Sequence, residues 1–159
     1  MKPGLQRYGT AILIGVVVFV LLVVTARDIG LTWDEPAYIA AARSYVNWNE
    51  FVITNPDKAF TQKAIDYSWT INSEHPPLDK AWSGVVWSVT RSFTDDLTAH
   101  RIGNMLLVGV LAGLLFLLIR DAYGLWAGLA AVAALLTMPR FFFHAHLAAL
   151  DVPAAVSVF

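Results

Sequence analysis

The sequence predicts an all-α membrane protein: a multi-span helical bundle with a long first extracytoplasmic loop that contains an interfacial amphipathic helix. Three observations predict this class: the apolar composition, the uncharged runs of membrane-spanning length, and the polar segment that follows the first run. Of the 159 residues, 57% are hydrophobic and 14% are charged, whereas soluble domains contain about 25% charged residues. A chain this short cannot bury so much apolar surface in a water-soluble core. Lipid is therefore expected to cover it.

Charge and cysteine content exclude several classes of function. The net charge is -1 and no basic stripe is present, which argues against a nucleic-acid partner, because phosphate neutralisation needs clustered Lys and Arg. The chain has no cysteine. Disulfides, a thiolate nucleophile and cysteine metal sites are therefore ruled out.

The first predicted span covers residues 8–26, which are uncharged and rich in Val, Ile and Leu. At ~1.5 Å per residue this run measures about 28 Å, close to the hydrocarbon thickness of a bilayer. A cleavable signal peptide has a shorter apolar region followed by small residues, so we interpret the run as a retained anchor. Lys2 and Arg7 precede it, and the positive-inside rule then keeps the N-terminus cytoplasmic.

Residues 27–78 form the predicted extracytoplasmic loop, where acidic, basic and aromatic residues alternate. Within it, residues 36–49 place Tyr38, Ala41 and Tyr45 at helical spacing, which predicts an amphipathic helix along the membrane surface. Residues 55–57 predict a turn, and residues 72–78 a rigid connection with two consecutive prolines.

Further spans are predicted at about 79–95, 102–119, 122–139 and 141–159. If every span crosses, Arg91, Arg101 and Arg140 lie inside and the Arg120-Asp121 pair lies outside, as the positive-inside rule requires. Two pairs of glycines lie four residues apart on apolar segments, Gly109 with Gly113 and Gly124 with Gly128. Such pairs permit close contact between helices, which we expect within one chain rather than in a dimer. The sequence ends inside an apolar run, and we expect it to be the front part of a longer protein.

The first candidate site is the Asp34-Glu35 pair, directly after the first span. Thr32 and Glu35 match a capping box, and Pro36 suits the first turn of a helix. A helix cap therefore explains Glu35 without any chemistry. It leaves Asp34 unexplained, and adjacent carboxylates at a membrane face are suited to a general base or a cation site.

The second candidate site is the segment from Glu74 to Lys80, which combines an acid, His75 and a cation around Pro76 and Pro77. Glu74 is positioned to orient the imidazole or to raise its pKa. The alternative is a Pro-Pro turn that sets the start of a helix, with His75 as an ordinary surface side chain.

The third candidate is Asp151, because a carboxylate inside an apolar span is costly and is a functional-site hypothesis by default. Its alternative is a helix start, since Pro153 follows two residues later. Helical spacing places His144 and Asp151 on one face, while His144 and His146 point to different sides, which argues against a His-x-His metal pair.

The order of these motifs resembles the GT-C superfamily of membrane glycosyltransferases, especially protein O-mannosyltransferases and the aminoarabinose transferases of lipid A. In that family a first span precedes an Asp-Glu pair, an amphipathic helix, a His-Pro-Pro-Leu-x-Lys segment, an Arg that opens a later span, and a further Asp. The matching positions here are Asp34, Glu35, His75 to Leu78, Lys80, Arg101 and Asp151. Asp79 stands where the mannosyltransferases usually have Gly.

The resemblance implies an inverting transfer of a sugar from a polyprenyl-phosphate donor to a protein or lipid acceptor, at the outer face of a bacterial or archaeal plasma membrane. Asp34 would be the base and Glu35 would orient it. His75, Lys80 and Asp151, with Arg43 as a weaker candidate, would bind the donor phosphate. Arg101 matches the family, but the charge count places it at the inner face, where a structural role suits it better. A divalent metal is the one cofactor that this chemistry leaves open.

Two other classes of function remain open at this stage. A small non-catalytic membrane subunit that packs in a larger complex is favoured by the short length and the paired glycines. A transporter or proton path is favoured by the carboxylate within a span, but one Asp and few spans make it weaker.

Overall fold

The computed structural model describes residues 3–158, with side chains from residue 7 onward, and all regular structure in that range is helical. The helices are α1 (Pro3–Thr25), α2 (Glu35–Thr54), α3 (Pro56–Ala59), α4 (Gln62–Trp69), α5 (Pro77–Thr90), α6 (Asp96–Tyr123), α7 (Leu125–Thr137), α8 (Pro139–His144) and α9 (Asp151–Val158). Two compact units are present within it. Unit 1 contains residues up to 29, 104–146 and from 151, and unit 2 contains residues 30–103 and 147–150.

Two of the described helical segments are long and apolar enough to cross a membrane, Arg7–Asp28 and Asp96–Tyr123. The first contains the predicted span at 8–26, and the second contains the predicted span at 102–119. Helix α7 is apolar but has only 13 residues, about 20 Å at ~1.5 Å per residue. It is therefore shorter than the span predicted for residues 122–139.

Helices α1 and α6 pack against each other in unit 1 through glycine. A Cβ on Gly15 would lie 2.7 Å from the carbonyl oxygen of Gly109, and a Cβ on Gly113 would lie 3.0 Å from that of Ala11. Only glycine permits such a close backbone approach. Because higher numbers on α1 meet lower numbers on α6, the two helices are antiparallel. The expectation that the glycines at 109 and 113 serve packing within one chain is confirmed.

The antiparallel pair brings Arg7 and Asp121 together, with 2.6 Å between Nη2 and Oδ2. Atoms this close cannot lie on opposite faces of a hydrocarbon layer about 30 Å thick. The expected placements of the N-terminus inside and of the Arg120-Asp121 pair outside therefore exclude each other. Simple alternation counted residues 79–95 as a crossing, and without that crossing both groups share one side.

Unit 2 is organised around α2, which confirms that residues 36–49 are helical. The predicted position of this helix along the membrane surface stays a prediction. The buried face of α2 contains Tyr38, Ala41, Ala42 and Tyr45. Helix α5 lies directly on this face, since a Cβ on Gly84 would lie 2.7 Å from the Ala42 carbonyl oxygen. Helix α4 covers the next turn, where the ring of Trp69 stacks on Tyr45 at 4.1 Å and the Ser44 hydroxyl donates to the Ser68 carbonyl at 2.9 Å.

Helix α5 replaces the predicted span at 79–95. It has 14 residues, about 21 Å, and after a turn the chain reverses into α6, where the Ser83 hydroxyl donates to the His100 carbonyl at 2.9 Å. On this helix the polar Asp79, Lys80 and Ser83 are buried, whereas the apolar Leu78, Val85 and Val89 are exposed. This inverted polarity explains why hydropathy alone predicted a crossing.

The predicted span at 141–159 is interrupted between α8 and α9. At the break, the backbone N–H of Ala148 donates to the Glu35 carboxylate at 3.0 Å instead of to a helical carbonyl. Just before it, the His146 ring bonds through Nδ1 to the Phe142 carbonyl at 2.7 Å. These side-chain bonds compete with the backbone ladder and end the helix.

Candidate functional site

The interior of unit 2 contains a bidentate ion pair between Arg101 and Glu35. Nε donates to Oε1 and Nη2 to Oε2, both at 2.7 Å, and both side chains are fully buried. Nη2 also donates to the Gly30 carbonyl at 2.8 Å. Parallel charge-assisted bonds of this kind are strong and fix geometry. The pair ties the first turn of α2 to α6.

This pair also corrects the expected position of Arg101. Glu35 belongs to the loop expected outside, whereas the charge count placed Arg101 at the inner face. Groups 2.7 Å apart lie on one side of a membrane, so the two placements exclude each other. The crossing assumed at 79–95 caused the error. The expectation that Arg101 has a structural role agrees with its burial.

Glu35 accepts further hydrogen bonds, which occupy both of its oxygens. Oε2 accepts from the backbone N–H of Thr32 at 3.0 Å and from its hydroxyl at 3.1 Å, and Oε1 accepts from Ala148. Burial alone would raise the pKa of Glu35, but the hydrogen bonds from Arg101, Ala148 and Thr32 together lower it below the ordinary value of 4.5. Of the predicted capping box only the bond from the Thr32 N–H to Glu35 is present; the Thr32 hydroxyl donates to the carboxylate and caps no helix N–H, because α2 begins at Glu35. Glu35 is a charged anchor.

Asp34 differs from Glu35 in exposure and in the hydrogen bonding of its carboxylate. It is exposed, directly precedes α2, and its carboxylate forms no cap bond. Its backbone carbonyl accepts from Ala37 at 3.2 Å, while its carboxylate forms no hydrogen bond or ion pair with any residue in the described range. The anchored Glu35 therefore fixes the backbone beside a carboxylate that is free to accept a proton.

The Asp34-Glu35 pair does not fit a shared cation site. A metal would need carboxylate oxygens from both residues, and those of Glu35 already accept from Arg101, Thr32 and Ala148. Within residues 3–158, no three His, Asp or Glu side chains converge as a metal site would require.

Lys80 is buried, and its ammonium group donates to three acceptors. These are the Asn72 carbonyl at 2.6 Å, the Asn72 side-chain oxygen at 3.2 Å and the His75 carbonyl at 2.8 Å. An ammonium has three donors, so all of them are used within the turn at 72–75. Lys80 holds this turn in place, and a phosphate would have to displace these bonds to reach it.

His75 retains a free ring. Its imidazole stacks on Tyr38 with the centroids 5.6 Å apart and an interplanar angle of 25°, and the side chain is half-buried. No hydrogen bond joins its ring nitrogens to the described part of the chain. The stacking fixes the orientation of the ring while the nitrogens stay available to a ligand.

Arg43, the weaker phosphate candidate, is already engaged. Its guanidinium pairs with the Asp96 carboxylate, donates from Nε to Nε2 of His100 at 3.3 Å, and lies over the Trp87 ring at 5.4 Å. Trp87 in turn donates to Asp96 at 3.0 Å. Arg43 therefore links α2 to the first turn of α6.

Asp151 lies at the first residue of α9, so the alternative of a helix start is met. Its carboxylate lies 2.9 Å from Nδ1 of His144. The expected arrangement on one face of a continuous helix is wrong, because α8 ends at His144 and α9 begins at Asp151, and the break brings the two side chains together. Asp151 belongs to unit 1, whereas Asp34 and His75 belong to unit 2. The convergence of all three on one cavity stays a prediction.

Sequence reasoning gave no role to several buried polar residues, among them Asp79 and His146. Asp79 is 6% exposed, and its Oδ1 has no hydrogen-bond partner among the described residues. His146 is fully buried and its Nε2 lies 2.8 Å from the Thr25 hydroxyl, at the end of α1. For Asp79 a signal existed, because the position stands out within the His-Pro-Pro-Leu segment. For His146 the sequence carries none.

Comparison with known proteins adds no assignment: no family model, curated protein or solved structure matches the chain.

Proposed function

We propose that this chain is the N-terminal membrane part of an inverting glycosyltransferase of the GT-C type. It would transfer a sugar from a polyprenyl-phosphate donor to a protein or lipid hydroxyl on the extracytoplasmic side. The proposal rests on the ordered motifs of the sequence. The observation that carries it is the contrast between Asp34, exposed and unpartnered, and the buried Glu35–Arg101 pair beside it.

The proposed reaction needs a base where the acceptor meets the sugar. The carboxylate of Asp34 takes the proton of the acceptor hydroxyl while the oxygen of that hydroxyl attacks the anomeric carbon of the sugar. The bond from that carbon to the phosphate oxygen breaks, and the lipid phosphate leaves with the electron pair. A positioned general base contributes about 10²- to 10⁴-fold to the rate. Glu35 is a positioning residue in this proposal, because its oxygens are occupied.

His75 is the best candidate for the leaving phosphate, since its ring is oriented by Tyr38 and its nitrogens are unengaged. A donor aimed at the developing charge stabilises the transition state. Lys80 would act indirectly, because it fixes the turn that carries His75. Arg43 would have to exchange Asp96 for the phosphate.

The test of this assignment is Asp34→Asn in the complete protein. We expect donor consumption to fall about 10²- to 10⁴-fold with normal insertion, because asparagine cannot accept the proton. Asp57→Asn is the matched control, an exposed loop carboxylate in α3. Transfer within a few-fold of the unmodified protein, measured with a labelled polyprenyl-phosphate hexose, contradicts the role of Asp34.

We also propose a multi-span arrangement with a cytoplasmic N-terminus, supported by the Arg7–Asp121 contact and by the two long apolar helices. Residues 30–103 would then face the outside. An amine reagent that cannot cross membranes should label Lys58 and Lys63 in intact cells, and Lys2 only after lysis. The reverse pattern overturns this orientation.

A packing subunit is the second candidate, and one observation favours it. An apolar groove runs between α1 and α6, flanked by the exposed Ile12, Val16 and Val110. Because the chain contains no cysteine, Val110→Cys offers a unique thiol for cross-linking in the membrane. A stoichiometric adduct with another protein, together with full activity of Asp34→Asn, favours the subunit over the enzyme.

A further inference from the structure

A wide groove opens between α2 and α4 in unit 2, with a volume of about 950 Å³. Its floor is formed by apolar and aromatic side chains, including Trp48, Phe51, Tyr67 and Ile71. The indole of Trp48 is fixed there, because Nε1 donates to the Ala59 carbonyl at 3.1 Å. The volume lies at the upper end of the range typical of small-molecule sites, about 300–1,000 Å³.

The charged residues that line the groove are all positive. Lys58, Lys63 and Arg43 line it, and no acidic residue does so among the described residues. Arg43 is paired with Asp96, whereas both lysines are exposed and their ammonium groups have no partner in the described range. The groove therefore offers two uncompensated positive charges above an apolar floor.

The same segment exposes large apolar side chains. Ile53 is 81% exposed, Phe60 is 63% exposed and Tyr67 is 84% exposed. Exposed apolar patches of this kind mark interaction sites, and aromatic residues beside Lys are typical of membrane interfaces. A free phosphate ion would satisfy the lysines and leave these side chains in water. A phospholipid satisfies both.

We infer that this groove binds an anionic phospholipid, with the phosphate between Lys58 and Lys63 and the glycerol and first methylenes against Trp48 and Phe51. The headgroup neutralises the two lysines, and the acyl chains cover the exposed ring of Tyr67, which lines the groove, and that of Phe60, which packs on Trp48. Unit 2 thereby docks on the leaflet surface through α2 and α4. The inference does not depend on the proposed transfer, because neither Asp34 nor His75 lines the groove and Arg43, which does, is paired with Asp96.

The test uses the whole chain in nanodiscs of phosphatidylcholine that contain a small fraction of brominated phosphatidylglycerol. Bromine quenches nearby indoles, and Trp48→Phe identifies the part of the signal that comes from the groove. Each Lys near an anionic surface contributes about 1 kcal/mol, which is about fivefold in affinity. Lys58→Gln and Lys63→Gln together should therefore weaken the lipid affinity reported by Trp48 quenching about thirtyfold. Arg140→Gln is the control, an exposed cation outside the groove.

Three results overturn the inference. One is equal quenching by brominated phosphatidylcholine, which would show no selection for charge. Another is unchanged phosphatidylglycerol affinity in the double lysine variant with its helical content intact. The third is displacement of the lipid signal by millimolar inorganic phosphate alone, which would identify a site for a free anion. Selective quenching that falls in the lysine variants and with added salt supports the lipid.

Discussion

The buried residues of the two units differ in chemistry. The core of unit 1 is mainly apolar and includes Val18, Leu22, Met105, Val108 and Phe116, although Asn104 and His146 are also buried there. The interior of unit 2 instead contains Glu35, Asp79, Lys80, His100 and Arg101. Lipid-covered helices associate through close packing, because the hydrocarbon around them is as apolar as their own side chains. Buried charges, in contrast, must be paired and hydrogen-bonded.

This difference predicts which substitutions each unit tolerates. In unit 1 the contact between α1 and α6 is between backbones at glycine, so added volume there should be harmful. Unit 2 has a comparable backbone contact at Gly84, but it also buries charged groups, so removal of one charged partner should be harmful even when volume is kept. Loss of a buried charge is therefore the substitution expected to distinguish the two units.

The largest effect is expected from Arg101→Met. It leaves the Glu35 carboxylate buried without its partner, which typically costs about 3–5 kcal/mol. The measurement is the free energy of unfolding in detergent micelles, followed by tryptophan fluorescence. The double variant with Glu35→Leu removes both charges and should recover most of the loss. A single variant within about 1 kcal/mol of the unmodified protein would contradict the assigned role of the pair.

A smaller effect is expected from Gly109→Ala. The new Cβ would lie 2.7 Å from the Gly15 carbonyl oxygen, so α1 and α6 must separate, at a cost of about 1–3 kcal/mol. Gly9→Ala is the matched control on α1, because its Cβ meets nothing within 4 Å and alanine favours a helix by about 1 kcal/mol over glycine. Equal stability of the two variants would show that the glycine contact does not hold unit 1 together.

The smallest effect is expected from a change of pH, which acts on stability through the protonation of Glu35. Its pKa is lowered in the folded chain, so its contribution to stability is present above the unfolded pKa and is lost as pH falls below about 4.5. Unfolding free energy measured between about pH 3 and pH 6 should therefore rise with pH, and Glu35→Gln should flatten this slope. An unchanged slope in the variant would assign the acid sensitivity to another carboxylate.

The local features of the fold could be predicted from the sequence. The first span, the amphipathic face of α2 and the Thr32–Glu35 bonding each depend on residues within a few positions of one another, where helical periodicity is decisive. The contact of His144 with Asp151 was not predicted, since helical spacing placed them two turns apart on one face and the helix is interrupted between them.

The long-range features could not be predicted. Glu35 and Arg101 are 66 positions apart, and nothing in either local pattern names the other as its partner. Hydropathy likewise cannot distinguish a crossing helix from α5, which exposes Val85 and Val89 while it buries Asp79 and Lys80. For the candidate site, the sequence identified Asp34, His75 and Lys80 alike. Only the contacts show that the ammonium group of Lys80 is fully hydrogen-bonded, whereas the Asp34 carboxylate and the His75 ring nitrogens are not.

The hydrogen bond from Ala148 to Glu35 has a consequence for biosynthesis, because 113 positions separate its two partners. At about 5–20 residues per second, a ribosome takes roughly 6 to 23 s to make that interval. Arg101 is made before Ala148, so Glu35 can pair with Arg101 before the Ala148 N–H exists. The nascent chain therefore passes through a stage in which its most buried carboxylate is incompletely satisfied. A chaperone or the insertion machinery has its best opportunity to act on the chain in that interval.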